Sequence, residues 1–226
     1  MKEIKISVII PLSSGERLQE KLEQQLSALP HNWEILICSP QRSSCGMELE
    51  QRVRWIVTED GRANCLNAGA RQASGDYVWF LHADSILLDH TAEKLAKTMA
   101  KNESALYYFD LKFYTKYCHF MMFNAKGVLF RSRCLHTPFG DQAFFMRREL
   151  FERLPSYSTE VSYGEDHILV RDYQRYQIPI LPIGMKILTS ARKYEQNGWL
   201  RTNVLHLYLW RKQMREYNAK YRGNDV

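Results

Sequence analysis

The sequence predicts an α/β fold: a mixed, mostly parallel sheet flanked by helices, with a C-terminal helical segment. Apolar runs rich in β-branched residues, such as Ile6-Ser-Val-Ile-Ile10, alternate with segments of helical period, such as 16–29. Through residue 101 the order is β-α-β-β-α-β-α, an alternation that lays strands in parallel with helices on both faces. The chain has 226 residues, 45% apolar and 25% charged. That suits one globular domain with its own core and excludes collagen, coiled coil and disorder.

The first strand spans 4–12, apolar on both sides of its pleat and ended by Pro11 and Ser13-Ser14-Gly15, as in a buried parallel strand. A helix over 16–29 puts Leu18, Leu22 and Leu26 on one face and stops at Pro30. Strands follow over 33–38 and 53–58, separated by the loop 39–46. Gly61 opens an Ala- and Asn-rich helix over 62–73 that closes near Gly75, before a strand over 77–81 and a helix over 91–101. The second half is less regular. It reads as an aromatic strand over 106–114, a helix over 115–130, a turn over 137–140, a strand over 142–146 and a short helix over 149–154. A helix over 165–176, a proline-interrupted strand over 178–188 and a helix over 202–222 complete it. No internal repeat, low-complexity tract or linker divides the chain, so 1–226 reads as one domain.

Charge is uneven. Residues 1–110 carry 12 basic and 15 acidic side chains, whereas 111–226 carry 19 and 10, within a net charge of +6. A basic half points to an anionic partner such as phosphate, nucleic acid or an acidic membrane surface, or simply to a solvated face. The five cysteines include no C-x-x-C pair, so reduced thiols in a cytoplasmic protein are the simplest account. The opening apolar run is too short for a signal peptide, and no stretch reaches the roughly 18 uncharged residues of a membrane span. Membrane contact, if any, is expected to be peripheral, at the inner face.

In parallel α/β sheets ligands bind at the carboxyl ends of the strands, which singles out 11–15, 39–44 and 82–85. Asp84, in Leu-His-Ala-Asp-Ser, can bind Mg²⁺ or Mn²⁺ through a carboxylate shared with substrate phosphate, or can cap the next helix. His82 lies two residues earlier, on the same side of an extended chain. Glu165 and Asp166 open a helix, where the macrodipole favours acids; either can also serve as a general base. Gly61-Arg62-Ala63 with Asn67 is a helix start suited to phosphate. Asp141, in Gly140-Asp141-Gln142, faces the cleft if 142–146 is a strand, or makes an Asx turn. Arg192 and Arg201 follow the last strand and offer forked donors suited to diphosphate.

In this order the motifs resemble family 2 glycosyltransferases of the GT-A (Rossmann-like) fold. The resemblance is closest to a small soluble subgroup with SVIIP, GRAxxxNAGA, FLHAD, PxGDQ, ED and TSAR segments. They stand here at 7–11, 61–70, 75–84, 138–148, 165–166 and 189–202. The resemblance implies an inverting, hexosyltransferase-like enzyme that uses a nucleotide-diphosphate sugar and Mn²⁺ or Mg²⁺. It implies Asp84 as the metal ligand and Asp166, or less expectedly Glu165, as the base. Donor contacts would come from Pro11, Ser13, Ser39, Arg62, Asn67, His82, Arg192 and Arg201, and acceptor contacts from Asp141 and Gln142. Residues 1–104 would form the nucleotide-sugar half and 105–226 the acceptor half. The acceptor would be a saccharide, a lipid-linked sugar or a small molecule.

The sequence departs from the family at two places. The first turn is Ser13-Ser14-Gly15-Glu16, and strand two ends Ile37-Cys38-Ser39-Pro40 where many relatives carry an Asp. Two rival classes stand beside the enzyme reading. A sugar-phosphate nucleotidyltransferase needs a Gly-rich loop after strand one, and 11–17 holds one Gly. A non-catalytic nucleotide-, RNA- or membrane-binding module would use the basic half, although nucleic acid is not the expected partner. The C-terminal helix presents Leu205, Leu209 and Trp210, with Tyr208 adjacent, at helical spacing. That stripe either packs on the sheet with its basic face in water or lies in the interface of an anionic membrane.

Overall fold

The computed structural model describes residues 4–114, 120–161 and 163–221. Seven strands form one sheet in the order β3-β2-β1-β4-β6-β5-β7. They are β1 (Ile6–Pro11), β2 (Glu34–Ser39), β3 (Val53–Val57), β4 (Tyr77–Phe80), β5 (Leu106–Tyr114), β6 (Phe145–Arg147) and β7 (Ile180–Ser190). β6 runs antiparallel to both β4 and β5, and the remaining pairs are parallel. Six strands therefore point the same way, and their carboxyl ends share one edge. The start of β6 reaches that edge too, which brings the turn before it alongside them.

Both faces of the sheet are covered, so the strands are apolar on both sides. Ile6, Val8 and Ile10 point towards α1 (Glu20–Ser27) and α4 (Thr91–Ala100), into a core with Leu22, Leu26, Leu95 and Met99. Ile9, Leu36 and Val78 point the other way, onto α3 (Arg62–Gln72), α6 (Arg148–Arg153) and α7 (Glu165–Arg175). The small residues of α3 let it lie close: a Cβ at Gly69 would come within 2.5 Å of Ile9 Cγ2 and 2.8 Å of Cys38 Sγ.

Several boundaries differ from the sequence reading. α1 begins at Glu20, because Ser13–Glu16 forms a turn in which Glu16 Oε2 accepts the Ser13 N–H. The expected strand 142–146 is instead a 3₁₀ turn (Gly140–Gln142) followed by β6, whose direction no local pattern reveals. β7 continues through Pro182, which a strand at the end of the sheet order tolerates; its outer side is bridged further on, at Leu188, by Ile86. The pairing slips between Tyr108 and Asp110, near Gly184 at φ +75°. α5 is Met121–Cys134, and the expected start of that helix at 115–119 lies outside the described residues. The short helices α2 (Met47–Glu50) and α8 (Arg192–Asn197) were not anticipated.

The last helix, α9 (Trp199–Tyr221), splits its apolar stripe: Leu205 and Tyr208 are exposed, whereas Leu209 and Trp210 are half-buried. It is anchored on the α7 side by polar contacts. Gln213 Nε2 donates to the Tyr163 and Gly164 carbonyls, and the Tyr217 hydroxyl donates to Asp172 at 2.6 Å. Arg222 lies outside the described residues.

One buried amide ties α3 to the loop leading to α7. Asn67 Nδ2 donates to the Tyr157 carbonyl at 2.7 Å, and Asn67 Oδ1 accepts the Tyr157 N–H at 3.1 Å. Asn67→Ala should leave both backbone groups buried and unpaired, at about 1–3 kcal/mol each. A urea unfolding midpoint equal to wild type would show that water replaces the amide.

Candidate active site

The strand edge gathers the chemistry. β1 and β2 end at Pro11 and Ser39, and β4 leads into His82 and Asp84. The 3₁₀ turn ahead of β6 carries Asp141, and the first turn of α7 carries Glu165 and Asp166. Gly164, at φ +72°, sets the entry to α7 in the left-handed region that glycine adopts without strain.

Two guanidinium groups lie among these carboxylates. Arg62 Nη1 pairs with Glu165 Oε1 at 3.0 Å, and Arg62 Nη2 contacts His82 Nε2. Arg131, on α5, sits 3.2 Å over the Phe139 ring, where burial lowers its pKa against the pull of Asp141 and Asp166. Asp166 is itself buried. Burial raises its pKa, but His167, Arg62, the Gly140 N–H and His82 outweigh that and hold it below the ordinary carboxylate range. The Gly140 N–H donates to Asp166 Oδ2 at 2.5 Å, and the His167 N–H donates to Oδ1 at 3.0 Å. A Cβ at Gly140 would stand 2.5 Å from Arg62 Nη2 and 3.0 Å from Asp166 Oδ2. Only glycine leaves that approach open.

Asp141 behaves in the opposite way. Burial pushes its carboxyl up to about 6, with Asp166 and Asp84 adding repulsion that Arg131 and Arg62 do not cancel. Its Oδ1 is buried and accepts no hydrogen bond. An unsatisfied carboxylate oxygen near Asp84 is what a hard divalent cation would relieve, and Mg²⁺ commonly needs only one or two carboxylates plus substrate phosphate. Asp84 and Asp141 thus fit such an ion. Among the described residues no group of three or more His, Cys, Asp or Glu forms a complete cage.

Other expected site residues take other places. Asn67 braces Tyr157 as above, so both ends of its amide are occupied by backbone groups. Gln142 is fully buried rather than facing an acceptor. Its Nε2 donates to the Phe109 carbonyl, and its Oε1 accepts from Ser132 Oγ and the Phe139 N–H. Ser39 Oγ donates to the Gln41 carbonyl at 2.7 Å, and Ser13 is exposed. Arg192 and Arg201 are exposed on α8 and α9, outside the buried charge cluster. The sequence reading missed Arg131 and the Gly140 N–H. The acid-free helix that carries Arg131 also carries Lys126 and Arg133, so no local signal singled it out, and a backbone donor leaves none.

Residues 7–154 match the family described as Glycosyl transferase family 2. The chain belongs to that family, and its sheet and helices have the GT-A fold. An Escherichia coli protein, UDP-Glc:alpha-D-GlcNAc-diphosphoundecaprenol beta-1,3-glucosyltransferase WfgD, is 26% identical over 116 residues, 48% of this chain and 46% of that protein. The chain spans about half the length of the curated relative it matches. Among solved structures, S. aureus TarS superposes with a TM-score of 0.61 at 17% identity, covering 83% of this chain and 37% of that one. TarS 1–349 in complex with UDP gives 0.61 at 18%, covering 83% and 61% respectively.

The raised Asp141 pKa has a consequence for stability. The folded state holds this proton more tightly than the unfolded chain, so a penalty sets in as pH rises from about 4 to about 6. Asp141→Asn should therefore raise the melting temperature at about pH 7.5 and change it little at about pH 4. Equal shifts at both pH values would show that ionisation of Asp141 carries no cost.

Proposed function

We propose that the chain transfers a sugar from a nucleotide-diphosphate donor to an acceptor hydroxyl with inversion, by direct displacement. The observation that carries this reading is Asp166, a buried carboxylate held charged at the strand-end edge and oriented by the Gly140 N–H. As the acceptor oxygen bonds to the anomeric carbon, its proton passes to Asp166 and the bond to the diphosphate breaks, the electron pair leaving with the phosphate. Glu165, paired with Arg62, is the lesser candidate for base and the better one for fixing Arg62.

In this reading residues 1–104 form the donor half. Pro11, Ser13, Ser39, His82 and Arg62 line it, and Arg192 and Arg201 cover the diphosphate. Residues 105–226 form the acceptor half. Asp84, with Asp141 beside it, would hold Mn²⁺ or Mg²⁺, which when bound neutralises charge on the diphosphate. The relative WfgD is named for UDP-Glc and a diphosphoundecaprenol-linked acceptor. That makes a UDP-sugar the first donor to test and a lipid-linked sugar the first acceptor.

Asp166→Asn should keep donor affinity by titration calorimetry and lose about 100-fold or more in turnover. Unchanged turnover would remove Asp166 as base. Glu165→Gln, run beside it, should lower the melting temperature because Arg62 loses its buried partner; a loss of turnover at full stability would move the base to Glu165.

Asp84→Asn should abolish the strengthening of UDP binding by Mn²⁺ while leaving the melting temperature near wild type, since Asp84 lies on a strand-end loop. Equal Mn²⁺-dependent binding in the variant would overturn the metal assignment.

A further inference from the structure

α5 has two unlike sides. Met121 and Ser132 are buried, and Arg131 turns in over Phe139. The opposite side shows Met122, Phe123, Leu129 and Phe130 to solvent, with Phe123 62% and Phe130 61% exposed. Residues 122 and 129, and 123 and 130, are one heptad apart, so they repeat on one helix face. Lys126 stands exposed between them, and the helix contains no acid.

The first half of α9 shows a matching surface. Leu200, Val204, Leu207 and Tyr208 fall at i, i+4, i+7 and i+8, and all are exposed, Tyr208 at 63%. The two helices meet at their starts. Trp199 Nε1 donates to Asn124 Oδ1 at 2.9 Å, and the Phe120 and Trp199 rings lie 5.4 Å apart. Phe120, itself exposed, stacks 6.5 Å from Phe123 and bridges the two sets. Soluble monomers rarely show a contiguous apolar patch of more than a few hundred Å².

We propose that this face docks on an anionic lipid bilayer. The charges around it choose the occupant. Lys126, Arg211 and Arg215 are exposed cations on these two helices. Arg133 is paired with Asp110, and Lys212 lies 3.9 Å from Glu216, the one acid of α9. Apolar and aromatic side chains bordered by cations match the headgroup boundary of an acidic leaflet. A second copy of this chain fits worse, because a two-fold interface would set the same cations against one another. The surface lies across α5 from Arg131, about one helix diameter (~10 Å) from the carboxylate cluster. A bilayer there would hold an acceptor's lipid near the site, but docking itself stands whether or not sugar transfer does.

The experiment is flotation of the full chain with vesicles of phosphatidylcholine alone or with about 30% phosphatidylglycerol, at low and high salt. Light scattering reports the oligomeric state. Wild type should float with the anionic vesicles only, and less at high salt. Phe123→Ser with Phe130→Ser, both exposed, should cut partitioning by about tenfold or more while melting at the wild-type temperature. Lys126→Glu with Arg211→Glu should abolish the preference for anionic lipid. No flotation at low salt, equal flotation of the Ser variant, or a wild-type dimer that the Ser variant dissolves would each overturn the proposal.

Discussion

Arg62 holds the site together because it is where α3, β4 and α7 meet. Its guanidinium reaches Glu165 on α7 and His82 beyond β4, and it lies within the field of Asp166 and Asp141. The buried Glu165 and Asp166 at the start of α7 and the half-buried Asp141 in the turn before β6 would repel one another without a fixed positive charge among them. A buried charge that loses its partner is costly, by about 3–5 kcal/mol. The arrangement therefore works as a unit: α7 can present two acids in its first turn only while α3 holds Arg62 beneath them. The close seat of α3 on β1, set by Gly69, fixes where that guanidinium sits.

The two aspartates beside it show how one electrostatic field gives two protonation tendencies. Asp166 receives two backbone N–H donors and stays charged, whereas Asp141 has an oxygen with no donor and is pushed up to about 6. Burial acts on both; what separates them is that His167 and Arg62, helped by the Gly140 N–H, outweigh it at Asp166, whereas Asp166 and Asp84 add repulsion at Asp141. A group kept ionised suits proton acceptance. A group left unsatisfied suits a site completed by a cation.

α5 couples this interior to the outside. Its inner residues, Arg131 and Ser132, touch Phe139 and Gln142 in the turn that carries Asp141, while its outer face is aromatic and exposed. Met121 is buried and Val128 packs on the core, so α5 carries apolar residues on both sides, unlike the usual surface helix. With apolar residues on both sides, its sequence shows no single-faced helical period.

The sequence by itself determined the first four strands, α3, α4 and the helix behind Glu165-Asp166. There, strands buried on both faces and helices with a single buried stripe leave patterns that depend only on neighbours in the chain. It also marked His82, Asp84, Asp141 and Asp166, because strand ends and helix starts are local features. Only the tertiary structure decided the direction of β6, the path of β7 through Pro182, and the roles of Asn67 and Gln142. Those side chains bond to backbone that is distant in sequence, Tyr157 for one and Phe109 for the other. It alone brought Arg131 to the carboxylates and left Leu205 and Tyr208 of α9 in solvent while half-burying Leu209 and Trp210. Each of these depends on which surface a helix finds already occupied, and spacing along the chain does not encode that.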